Sequence, residues 1–158
     1  MKKNFLALAV ISLTLGSCSK KMYNPYSDSE VIEHKTQGSV TLRGVGDEVE
    51  RKKGKGEIVA LKLAHKKALQ QLFYLGFTGT DFKNPMIRAG KSVEDKHKAY
   101  FDQFWNKGYE RFITNSSASY YSCSQMKNCV SAVSVFTVNY NMLRKELEDN
   151  KIINKIGF

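Results

Sequence analysis

No stretch of this chain is apolar for long enough to cross a bilayer as a helix. A span takes about 20 apolar residues, and the longest candidate, Phe5 to Leu15 in MKKNFLALAVISLTLGSC, has eleven. Histidine is scarce too. His34, His65 and His97 are the only three, no two share the spacing of ligands on one helix face, and they read as surface histidines with no metal site. Neither nucleotide loop is complete. Gly54-Lys55-Gly56-Glu57 lacks the hydroxyl residue that follows Gly-Lys in a phosphate loop, and no glycine follows Gly46 at the dinucleotide step. Acidic residues are few, with 15 Asp and Glu against 25 Lys and Arg, for a net charge of +10. Such an excess suits anionic surfaces. Glu94 with Asp95, and Glu146, Glu148 and Asp149, read as helix-end charge, not as acid–base pairs flanking a cleft. With no nucleophile beside a base, the expectation is a protein that is not an enzyme and holds no cofactor.

What is present begins at the amino terminus. Lys2 and Lys3 form a short positive region, and the eleven residues after Asn4 have the length of a signal-peptide core. That core stops at Leu15-Gly16-Ser17-Cys18, small residues and then a cysteine, followed by the polar run SKKMYNPYSDSE. The tetrapeptide resembles the lipobox of bacterial lipoproteins. By that resemblance residues 1–17 are removed, Cys18 becomes the first residue, and its sulfur carries a diacylglyceryl group. One acyl chain binds a membrane marginally and two hold it stably, so lipidated Cys18 would anchor a soluble domain. Ser19 is compatible with sorting to the outer membrane. Lys20-Lys21 differ from the acidic tracts that send some lipoproteins to the outer face, so the expected location is the periplasmic side. The lipid bilayer is then one expected partner and an envelope protein the other. Nucleic acid, the usual inference from a basic chain, is discounted for an exported protein.

If Cys18 carries lipid, Cys123 and Cys129 are left in YYSCSQMKNCVSAV. In an oxidising compartment a close pair reads as a disulfide. Closing so short a loop constrains the unfolded chain by roughly 2 to 2.5 kcal/mol.

Residues 18–37 carry few aliphatics and no sustained period, so they read as the lipidated cysteine and a flexible tether. Residues 38–158 read as one domain. In SVTLRGVG, Val40, Leu42 and Gly44 alternate with Thr41 and Arg43, as in a half-buried strand. DEVERKKGKG reads as a charged connection. From Glu57 to Leu75 the period is helical, with Leu61, Ala64, Ala68, Leu72 and Leu75 on one face, Ile58 leading in, and Gly76 as the terminating residue. FTGTDFKNPMIRAGK is irregular, and Ser92 in SVED has the pattern of a capping box opening a second helix that ends near Gly108. YERFIT and SASYYSC are candidate strands separated by a polar NSS. CVSAVSVFTVNYN is the strongest strand, with Phe136, Val138 and Tyr140 on one side and Val133, Val135 and Thr137 on the other. MLRKELEDNKII is a short amphipathic helix through Leu143 and Leu147. The order predicts an α+β fold: an antiparallel-rich sheet, two main helices packed on it and a short C-terminal helix.

Two further features bear on function. Arg51, Lys52, Lys53 and Lys55 precede the first helix and Lys62, Lys66 and Lys67 continue along it, which suits an anionic ligand or an acidic partner as well as a solvated face. Tyr100, Phe101, Phe104, Trp105, Tyr109 and Phe112 have the spacing of a core stripe. The strand with Gly44-Val45-Gly46, the helix punctuated by Ala60, Ala64 and Ala68, and the strand Val133 to Tyr140 together resemble the small α/β domain of certain outer-membrane lipoproteins and of the N-terminal part of flagellar assembly protein T. That likeness implies an envelope accessory or assembly role, and PMIRAGKSVEDKHKAYFDQFWNKGYERF departs from it. The expected function is a non-catalytic lipoprotein acting through protein contacts. The alternative is a binding module for an anionic glycan, lipid or small ligand that uses the basic helix face.

Overall fold

A computed structural model of the chain describes residues 29–33, 38–123 and 127–155. Among the described residues four strands and four α-helices form one α+β unit: β1 (Glu30–Glu33), β2 (Ser39–Glu50), α1 (Gly56–Tyr74), α2 (Val93–Lys96), α3 (Lys98–Asn106), β3 (Ile113–Ser122), β4 (Cys129–Asn139) and α4 (Tyr140–Asp149). The strands make one antiparallel sheet in the order β1-β2-β4-β3. Among the described residues no helix is long and apolar enough to cross a membrane.

β2 alternates as its residues require. Val40 and Leu42 are fully buried on the side that faces α1, and Thr41 pairs with Thr137 through their hydroxyls at 2.9 Å on the other side. The strand does not end at Gly46. It runs to Glu50 through an irregularity between Gly46 and Val49, with Glu48 at φ 54°. The expected charged connection is therefore largely strand, because a bulge lets charged residues occupy a strand end without burial.

α1 lies across β2 and β4. Its buried residues are Gly56, Ala60, Ala64, His65, Ala68, Leu69, Leu72 and Phe73. The expected stripe is thus rotated: Ile58 is 57% exposed and Leu75 69% exposed. The cause sits in β2. A Cβ on Gly44 would fall on the carbonyl of Ala64, and one on Gly46 on the carbonyl of Ala60. Two glycines on a strand thus admit two alanine turns of a helix at backbone contact. Gly76 ends the helix at φ 76°, donating its N–H to the Gln71 carbonyl at 2.8 Å, a conformation that favours glycine.

Three other expectations are corrected. Ser92 forms no side-chain cap; its hydroxyl donates to the Ala89 carbonyl at 3.3 Å, and the helical stretch breaks at His97 into α2 and α3. Residues 108–112 form a 3-10 turn in place of a strand, burying Tyr109 and Phe112, and β3 then runs unbroken through the polar NSS. The strand β1 falls inside the segment expected to be tether, pairing Glu30 with Arg43 and Val31 with Leu42.

The main core gathers Leu69, Leu72 and Phe73 of α1 with Phe101 and Phe104 of α3, Tyr109, Phe112, Phe136 and Leu143 and Leu147 of α4. The aromatic series of residues 100–112 therefore packs as core. Cys123 and Cys129 are joined by a disulfide across the mouth of the β3–β4 connection, with Cα atoms 5.5 Å apart. α4 starts on Asn139, whose side-chain carbonyl accepts from the Met142 N–H at 2.9 Å, a cap contributing about 1 kcal/mol.

Candidate functional site

His65 is not a surface histidine. It is 7% exposed on the inner side of α1, its ring 4.3 Å from that of Phe136. Its Nε2 lies 3.0 Å from Ser134 Oγ and 3.3 Å from Ser116 Oγ, and the two hydroxyls are 3.3 Å apart. A histidine beside two serines invites a nucleophile–base reading, and the hydrogen positions decide it. The Ser134 hydroxyl donates to the carbonyl of Ser117 at 3.1 Å. A hydroxyl has one proton, so while Ser134 gives it to Ser117 it can only accept from His65, which requires the hydrogen on Nε2. A base must present a bare nitrogen to its nucleophile. Ser134 is also fully buried. His65 and Ser134 thus form a buried, hydrogen-bonded polar pair, with Ser116 of the exposed strand β3 at its margin. Burial pushes the imidazole pKa down to about 4, against a smaller upward pull from the Glu110 carboxylate, so the ring is neutral at neutral pH.

Glu94 is likewise a structural clamp. Its Oε1 accepts from the Tyr74 hydroxyl at 2.6 Å and from Trp105 Nε1 at 3.0 Å, tying α2 to α1 and α3. Burial and then the Glu94 hydrogen bond raise the Tyr74 pKa well above the usual phenol range.

The basic cluster does not gather on one face. Arg51 meets Glu57 at 3.8 Å and Lys52 meets Glu50 at 3.0 Å. Lys53 lies in the 3-10 turn Lys52–Gly54, and Lys55 is exposed directly before α1. On one flank of α1, Lys62 meets Glu110 at 3.4 Å and Lys66 stands 5.5 Å above the Trp105 ring. Lys67 turns to the opposite flank and pairs with Asp47. Five of the seven cations thus have a carboxylate or an aromatic face beside them, which dilutes the field they offer an anion. A separate hollow of about 580 Å³ collects Arg88, Arg144 and Lys155 beside Phe82 and Met86. Sequence reasoning missed it because its walls come from segments about 60 residues apart. It also holds Asp81, and Arg144 is engaged by Glu148 at 3.0 Å, so little positive charge is left over.

No group of three His, Cys, Asp or Glu is arranged to hold a metal among the described residues. Cys18 and His34 lie outside them.

The exposed feature that stands out is β3. Among the described residues it has β4 on one side and no strand on the other. Eight of its ten residues are exposed, only Ile113 and Tyr121 being half-buried. The strand carries no charge and no proline in ten residues.

No protein-family model matches the chain, and no curated protein and no solved structure matches it either.

Proposed function

We propose that this chain is an envelope lipoprotein, held by acyl groups on Cys18 at the periplasmic side of the outer membrane, whose α+β domain acts without catalysis through protein contacts. The observation that carries the reading is one of spacing. Leu15-Gly16-Ser17-Cys18 closes a signal-length apolar core, and only residues 19–29 separate that cysteine from the first strand at Glu30. Eleven residues reach at most about 40 Å when fully extended, so the domain works close to the lipid. The interior supports the second half of the reading. Its histidine and the serine beside it are sealed, its clamp carboxylate is occupied by two donors, and what the domain offers outward is surface.

The test is intact mass and fractionation. The protein extracted from membranes is expected to begin at Cys18 with the added mass of its acyl groups, and Cys18→Ser is expected to stay unprocessed and lose the lipid. Crosslinking before extraction is expected to return the same envelope proteins repeatedly. Unlipidated native protein, or crosslinks to lipid alone, would sink the reading.

A further inference from the structure

The two edges of the sheet are treated differently by the sequence. β1 has four residues, an irregularity between Val31 and Glu33, and Glu30 held by Arg43 at 3.2 Å. Shortness, bulging and charge are the devices that keep a sheet edge from pairing with another chain. β3 is neither short nor charged. It is ten residues long, and its central run from Ser116 to Ser119 is Ser-Ser-Ala-Ser, small side chains that leave the backbone accessible. The break in its register lies only at its start, between Ile113 and Asn115. α1 lies mainly over β2 and β4 and meets β3 through His65 at Ser116. Tyr120, opposite Ala132, is consequently 40% exposed on the helix side of the sheet.

We propose that β3 pairs antiparallel with β3 of a second copy, joining two domains into one eight-stranded sheet. The choice of a second copy rests on charge and on closure. The chain carries +10, so two copies repel overall, whereas this strand brings no charge to the joint. Antiparallel pairing about a two-fold axis is self-complementary, each strand meeting the other with the same residues. The product has the order β1-β2-β4-β3-β3-β4-β2-β1, and both of its free edges are the guarded β1. No unguarded edge remains to propagate a fibre. The two copies of β1 then lie outermost, roughly 34 Å apart at the usual strand spacing. Pairing is a property of the folded domain and goes beyond the anchoring reading without resting on it.

The test is the protein mass of the full chain in mild detergent, by sedimentation or light scattering. Wild type is expected at twice the chain mass. Ser117 and Ser119 lie at the middle of the strand, near the axis in any centred register. Ser117→Lys with Ser119→Lys is expected to weaken the dimer at least about 100-fold, because like charges forced together across an interface cost several kcal/mol, while thermal unfolding by circular dichroism stays as in wild type. Should that variant fold poorly, a short bis-maleimide reagent is expected to link Ser119→Cys chains to each other and to leave Ile32→Cys chains, on β1, unlinked. A wild-type mass of one chain overturns the proposal. So does a dimer indifferent to the lysines, linkage through position 32, or linkage of position 119 only to a different protein.

Discussion

The two halves of α1 are packed by opposite means. In the first half Ala60 and Ala64 bring the helix backbone against Gly46 and Gly44 of β2, and the surrounding cluster is small: Ala60, Val130 and Ala132, with Val49 at its margin. In the second half Leu69, Leu72 and Phe73 stand among Phe101, Phe104, Phe112 and Phe136. One helix is therefore held at one end by the absence of side chains and at the other by their bulk. The difference teaches where this fold tolerates change: the aromatic end fails when atoms are removed, the glycine end when they are added.

Removing atoms is expected to have the largest effect at Phe73. It is fully buried, with ring centroids of Phe104 at 5.6 Å, Trp105 at 5.7 Å and Tyr74 at 5.9 Å. Phe73→Ala is expected to cost about 3 to 5 kcal/mol in urea unfolding. A loss below about 1 kcal/mol would mean that the aromatic cluster collapses into the space, and the contrast between the two halves would dissolve.

His65 marks the junction, and its protonation is expected to act next most strongly. Its pKa is about 6.5 in an unfolded chain and about 4 when folded. A depressed folded value means that the unfolded state binds the proton first, so stability is fully present above pH 6.5, falls as the pH drops toward 4 and levels off below. The slope is about 1.4 kcal/mol per pH unit at its steepest, about 3 kcal/mol in all. The stability of wild type minus that of His65→Gln, measured by urea titration at pH 7 and at pH 4, isolates this term. A difference that does not change with pH would show that the imidazole is solvated.

The sheet and the larger helices were legible because their periods are strong. Phe136 and Val138 alternate in β4, and Leu143 and Leu147 stand four apart in α4, all four buried as their spacing implies. The rotation of α1 was not legible, since helical periodicity counts Leu61 and Leu75 as readily as Leu69 and Phe73. Only the partner strand decides between them, and the deciding residues, Gly44 and Gly46, act by having no side chain. The burial of His65 stayed hidden for a related reason: its lysine-rich neighbours argue for solvent, while the serines that satisfy it lie 51 and 69 residues away. The split of the basic cluster is likewise a matter of long-range pairing, with Glu110 and Asp47 drawing Lys62 and Lys67 to opposite flanks. The turn at residues 108–112 read as a strand because Tyr, Phe and Ile carry strand propensity whether or not a ladder is there to receive them.

Adding atoms at the glycine end sharpens the comparison furthest, though with a smaller expected cost. Gly46→Ala is expected to destabilise by about 1 to 3 kcal/mol, the range for overpacking a close contact. The obstacle is the Ala60 carbonyl and the Ala64 N–H, backbone atoms of α1 itself. Trimming the helix side chain with Ala60→Gly therefore should not relieve the strain. The double variant is expected to be less stable than Gly46→Ala alone, since a glycine inside a helix adds roughly 1 kcal/mol of its own. Rescue by Ala60→Gly would instead show that side chains hold α1 off the sheet at this end as they do at the other, and the two halves would then be packed alike.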